Sequence, residues 1–136
     1  MAKEIGTYKL LIREGHLDTY GHVNNARYLD MYEEARWDLV TGRGYGFKKV
    51  HDIQQGPVIL EVNLKFMKEL RLREEITITT ELVDYPGKIG RLKQQMIKPD
   101  GTVASEAIFV FGLFDLKARK MIEPTPEWKK AVGYEG

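Results

Sequence analysis

Residues 16–36, HLDTYGHVNNARYLDMYEEAR, change character at Asn25. Ahead of that point stand two of the three histidines, His16 and His22, together with Asp18, Gly21 and the adjacent Asn24 and Asn25. Beyond it, Tyr28, Met31, Tyr32, Ala35 and Leu39 follow the i, i+3, i+4, i+7 spacing of one helix face. A helix is predicted from about Asn25 to Val40. Leu29, Trp37 and Val40 lie on a neighbouring face, while Arg27, Asp30, Glu34 and Asp38 gather on the remaining side. The apolar arc is therefore wide, and a helix of this kind needs to be wrapped rather than laid on a surface. TGRGYG at 41–46 stops it, with Gly42 as the expected C′ residue.

Outward from this helix the chain reads as β. A first strand is predicted over 6–14 and a polar loop over 15–24. In 57–67, Val62, Leu64 and Phe66 alternate with Glu61, Asn63 and Lys65, the period of a half-buried strand. In 75–85, Ile76, Ile78, Thr80 and Leu82 alternate likewise. DYPGK (84–88) and KPDGT (98–102) are turns on either side of a strand that begins at Ile89. Residues 102–116 form a long final strand, apolar on both faces near Phe109 and Phe111, so a central position is expected. LKARKMIEP (116–124) reads as a hairpin or bulge, and 125–133 as a short closing helix with Thr125 as N-cap and Pro126 at its first position. One strand, one long helix and then a run of strands on short turns is an α+β layout with a largely antiparallel sheet. One sheet edge or face is left uncovered, which points to a homodimer or homotetramer.

The 136 residues suit one domain, 1–136. With 21 Lys+Arg against 20 Asp+Glu, nothing draws the chain as a whole to nucleic acid or a membrane surface, so an anionic ligand needs a local patch. The absence of cysteine excludes disulfides, a thiolate metal site and a thiol nucleophile. MAKEIGTYKL lacks the apolar core of a signal peptide, and a cytoplasmic protein is expected.

The chemistry concentrates at the helix start. Asn24 or Asn25 can cap the helix through its side-chain oxygen. The unpaired N–H groups there also form a positive pole able to act as an oxyanion hole. Asp18 is by itself a turn residue and His22 by itself a surface histidine. Together with the helix start they can supply a base or nucleophile, an orienting donor and a carbonyl-polarising group. His16, Asp18 and His22 lack the spacing of metal ligands, and no metal or other cofactor is expected. No GxSxG, Walker or GxGxxG motif is present, and TGRGYG follows a helix rather than a strand.

DTYGHVNNARYLDMYEEAR resembles the helix-start motif of hotdog-fold acyl thioesterases, the 4-hydroxybenzoyl-CoA thioesterase-like and acyl-ACP thioesterase-like families. The resemblance implies a five- or six-stranded antiparallel sheet wrapped around one long central helix. It implies hydrolysis of an acyl-CoA or acyl carrier protein thioester to a carboxylic acid and a thiol, at a site shared between two subunits. By position, Asp18 matches the catalytic carboxylate, His22 a site histidine of the acyl-ACP branch, and the N–H near Asn25 the oxyanion donor. Asn24, Tyr28 and Glu33 match supporting positions. The acyl-ACP branch has a site Asn where this chain has Tyr20. Lys65 and Lys68 beside Phe66, with Lys88 and Arg91 on another hairpin, are candidates for substrate contact, the cations meeting phosphates. Phe66, Met67 and Trp37 are candidates for an acyl pocket. The alternative on the same fold is a module that binds acyl thioesters or fatty acyl ligands without hydrolysing them.

Overall fold

The computed structural model describes residues 2–3 and 5–135. The described elements are β1 (Ala2–Lys3), β2 (Ile5–Leu11), a 3-10 turn (Glu14–His16), α1 (Asn25–Gly42), α2 (Phe47–Ile53), β3 (Gln55–Phe66), β4 (Glu75–Asp84), β5 (Ile89–Ile97), β6 (Val103–Asp115), β7 (Lys120–Ile122), α3 (Pro126–Ala131) and β8 (Tyr134–Glu135). Six strands form one sheet in the order β2-β4-β5-β6-β3, with β7 also on β6, and β1 pairs with β8 in a separate two-stranded sheet. Every pairing is antiparallel.

The long strand β6 is central, as its apolar faces require. It pairs with β5 and β3 along its length and turns back into β7 through a hairpin. α1 has 18 residues, which makes it about 27 Å long. It buries Tyr28, Met31, Tyr32, Ala35 and Val40. Polar ties fasten it to the sheet. The Tyr32 hydroxyl and Ser105 Oγ on β6 are 2.8 Å apart, and Gln94 Nε2 on β5 donates to the Tyr32 carbonyl at 3.1 Å. At the other end of the chain, Thr125 caps α3 by accepting from the Trp128 N–H at 3.2 Å, with Pro126 in the first turn.

Several expectations need correction. The first strand ends at Leu11 rather than residue 14, because the 3-10 turn turns the chain toward α1. Helix α1 runs to Gly42, so Gly42 is its last residue. The left-handed position that ends the helix belongs to Gly44 (φ +86), whose N–H donates to the Thr41 carbonyl at 3.1 Å. α2 is not foreseen. Its seven residues follow the helix stop too closely to show a period of their own. Strand β3 exists, but Val62 is 38% exposed and Phe66 50% exposed. β3 ends the sheet order, and a bulge between Ile59 and Glu61 further exposes Leu60.

Candidate functional site

The polar loop ahead of α1 is built from its own hydrogen bonds. Leu17 and Val23 form a bridge, and inside it the Asp18 N–H donates to the His22 carbonyl at 2.8 Å. Asp18 Oδ1 accepts from the backbone N–H groups of Tyr20 at 2.9 Å and His22 at 3.2 Å. This is an Asx turn, and Gly21 closes it at φ +79. These two bonds orient the Asp18 carboxylate through Oδ1. Its Oδ2 has no protein donor among the described residues.

Of the two asparagines, Asn24 is the cap. Its φ of −67° and ψ of 143° are extended, and its Oδ1 accepts from the Ala26 N–H at 2.9 Å. Asn25 is the first helical residue, and its N–H has no protein acceptor among the described residues. That N–H lies at the positive end of α1.

A cleft of about 370 Å³ opens beside this end. His22, Val23, Asn25 and Tyr28 line one side; Phe66, Met67, Lys68, Glu69 and Leu70, from the end of β3 and the loop after it, line the other. Tyr28 and Phe66 meet edge to face, with ring centroids 4.8 Å apart, and so join the two walls. His22 Nε2 lies 3.4 Å from Glu69 Oε1 across the cleft. Burial raises the Tyr28 hydroxyl pKa above its ordinary value, and the Glu69 charge adds to the shift.

The residues singled out in the sequence are thus divided among several places. His22, Asn25, Tyr28, Phe66, Met67 and Lys68 line the cleft. Asp18 lies in the loop that carries His22 but is not among the lining residues. Asn24 caps α1. Lys65 is exposed on β3 next to the cleft wall. Glu33 does not face the cleft. It lines a smaller cavity farther along α1, as does Trp37. Lys88 and Arg91 are at the other end of the sheet: Ile89 pairs with Gly112 of β6 whereas Phe66 pairs with Ser105, a separation of roughly 20 Å along the strand. Arg91 is also engaged by Asp84, its Nε donating to Oδ1 at 3.0 Å. His16 turns back to accept from the Arg13 N–H through Nδ1 at 2.9 Å, away from the cleft. Glu69 is the cleft residue that sequence reading misses. It sits among charged neighbours in MKELR, and no local pattern relates it to His22. No group of three or more metal-ligating side chains occurs among the described residues, and no helix there is long and apolar enough to cross a membrane.

The family model described as the thioesterase-like superfamily matches residues 12–132, which include the loop, α1, both cleft walls and the whole of the six-stranded sheet beyond β2. The chain belongs to the thioesterase-like superfamily. It is 37% identical over 116 residues to the long-chain acyl-CoA thioesterase FadM of Escherichia coli (strain K12), covering 84% of this chain and 86% of that one. Its structure matches that of YbaW, a probable thioesterase from Escherichia coli, with a TM-score of 0.82, 33% identity and coverage of 93% and 96% of the two chains. A Staphylococcus aureus protein crystallised in complex with CoA shares the fold at a TM-score of 0.88 and 20% identity, over 97% of this chain and 84% of that one. The six-stranded antiparallel sheet with α1 against it is that of the hotdog thioesterases.

Proposed function

We propose that this thioesterase-family chain hydrolyses acyl-CoA thioesters in the cleft at the start of α1. On this reading the chain is a single hotdog domain, and α1 is the long central helix about which the sheet closes. The observation that carries the proposal is the unpaired Asn25 N–H at the positive end of an 18-residue helix, in a residue that lines the cleft together with His22 and Glu69. A thioester carbonyl seated there receives the N–H as it becomes an oxyanion. Asp18, oriented by its two backbone donors, supplies the carboxylate. Either it draws a proton from the water that attacks the acyl carbon, or it attacks that carbon itself to give a mixed anhydride that water then hydrolyses. In both cases the C–S bond breaks and coenzyme A leaves as the thiol, protonated from water or the base. His22, held at its backbone by Asp18 and facing Glu69, orients the reacting group. Phe66, Met67 and Tyr28 cover the first carbons of the acyl chain. Lys68 at the cleft and Lys65 beside it meet the phosphates of coenzyme A. An acyl carrier protein thioester presents the same phosphopantetheine phosphate and is the second substrate to test. Lys88 and Arg91 take no part in the cleft of their own chain.

The free edge of β3 supports a homodimer. Ile59, Leu60, Val62 and Phe66 are exposed along it. An apolar edge strand of 12 residues is a template for pairing with a second copy, which places the partner beside the cleft. Light scattering should give a dimer or a dimer of dimers; a monomer contradicts a shared site.

Asn25→Pro tests the oxyanion assignment directly. Proline suits the first position of a helix, and the extended backbone of Asn24 suits a following proline. The variant removes one N–H and leaves the fold. Thiol release from a panel of short, long and aromatic acyl-CoAs should fall about 10²- to 10³-fold in kcat with an unchanged circular dichroism spectrum. Full turnover in the folded variant would remove the helix start from the mechanism.

A further inference from the structure

Farther along α1 from the cleft, the smaller cavity of about 80 Å³ lies between the helix, the sheet and α3. Its walls are chiefly apolar, with Trp37, Val40, Leu92, Phe111 and Trp128 among them. One cation interrupts them. Arg36 is partly buried, with its Cζ 4.2 Å from the Phe109 ring centroid, and its Nη1 donates to Gln94 Oε1 at 3.0 Å. Gln94 is fully buried and is itself fixed, its Nε2 donating to the Tyr32 carbonyl at 3.1 Å and to Thr80 Oγ1 at 3.0 Å. The guanidinium is therefore held in place before any ligand arrives.

A guanidinium carries five N–H donors. The Gln94 bond is the one hydrogen bond Arg36 makes among the described residues, and no carboxylate there lies within ion-pair distance of it. Glu33, three positions back on α1, lines the same cavity but is exposed and forms no ion pair with it. Burial pushes the Arg36 pKa down to about 10, opposed by the Glu33 charge, so the group stays charged at neutral pH. No buried side-chain nitrogen among the described residues lacks a partner, so the remaining Arg36 donors are accessible and open to an anion. A carboxylate accepts from the guanidinium fork through two parallel bonds, and an attached aliphatic chain covers the apolar walls.

We propose that this cavity binds the carboxylate end of an aliphatic chain, with Arg36 as the anion-holding residue. The carboxylate has two chemical sources: a free fatty acid, or the far end of a thioester whose acyl group is a dicarboxylic acid. The cavity goes beyond the cleft reading, and binding there is measurable whether or not the cleft hydrolyses anything.

Trp37 and Trp128 are the two tryptophans of the chain, and both line the cavity, so intrinsic fluorescence reports its occupancy. The full chain is titrated near neutral pH with octanoate and, separately, with 1-octanol. The expected result is a saturable change with octanoate and at least about tenfold weaker binding of octanol, since the charge-assisted pair is lost. Arg36→Met should abolish the preference, and Arg36→Lys, which keeps the charge without the fork, should retain part of it. The wild-type comparison needs no variant to fold. Equal affinity for octanoate and octanol, or no saturable response to octanoate, overturns the proposal. Kinetics then separate the sources. If octanoate raises the apparent KM for acyl-CoA and a dicarboxylic acyl-CoA outcompetes its methyl-ended analogue, the cavity receives the far end of the substrate. Saturable octanoate binding with an unchanged KM makes it a separate fatty-acid site.

Discussion

The start of α1 and its middle are opposites. At the start, an N–H is left without a protein partner, His22 is exposed, and the walls enclose an open cleft. In the middle, Tyr32, Thr80, Gln94 and Ser105 are buried and bonded to one another, and no buried side-chain nitrogen or oxygen among the described residues lacks a partner. The same helix carries both. Its middle is fastened to β5 and β6, and on the proposed function this holds the polar groups at its start in fixed directions toward the substrate. Close packing already resists sliding of the helix, and the Gln94 bond to the Tyr32 carbonyl adds a directional tie. Fixed placement of the donor is what makes it useful to a developing oxyanion.

This contrast can be broken in order of expected effect. Asp18→Asn keeps the oxygen that accepts from Tyr20 and His22 but loses the carboxylate charge. On the proposed mechanism, kcat falls about 10²- to 10⁴-fold while thermal stability is nearly unchanged. Glu69→Gln is its control, with a smaller loss of turnover. The reverse ranking in a kcat assay would make Glu69 the working carboxylate and Asp18 a turn residue. Gln94→Leu strikes the middle instead. It removes the side-chain partner of Arg36 and Thr80, while the Tyr32 carbonyl keeps its helical bond, and urea unfolding should show a loss of about 3 kcal/mol. A loss of less than about 1 kcal/mol would show that packing alone holds α1. Asn24→Ala removes the cap and should lower stability by about 1 kcal/mol. Turnover per folded molecule should then change little, because the Asn24 side chain is committed to the Ala26 N–H and carries no charge for the reaction. A large loss of kcat in Asn24→Ala would mean that the cap itself aims the Asn25 N–H.

Where local chemistry decides a conformation, the sequence is readable. The 3.6-residue period from Tyr28 onward predicts α1, and Thr125 with Pro126 predicts α3, because caps and periodicity depend on near neighbours. The loop from Asp18 to Asn25 is legible for the same reason: an Asx turn followed by an Asn cap is a pattern of adjacent residues. The errors arise where position in the sheet matters. Val62 and Phe66 have the alternation of a half-buried strand, yet β3 is an edge strand, and alternation does not say whether a neighbour arrives from the same chain or another. Glu33 shares α1 with the motif residues but points along the helix into another cavity, since eight residues of helix carry it about 12 Å from Asn25.

Asp18, His22 and Asn25 are neighbours in the chain, so their closeness follows from order alone, although only His22 and Asn25 line the cleft. Glu69 and the other cleft wall reach them only because β3 returns antiparallel beside β6 and ends next to Tyr28. The pairing of Arg36 with Gln94 likewise joins a helix to a strand far away in the chain. Local patterns record what neighbouring residues do to the backbone. Contacts between distant segments depend on strand order and register, which are selected by burial of the whole core rather than by any one stretch.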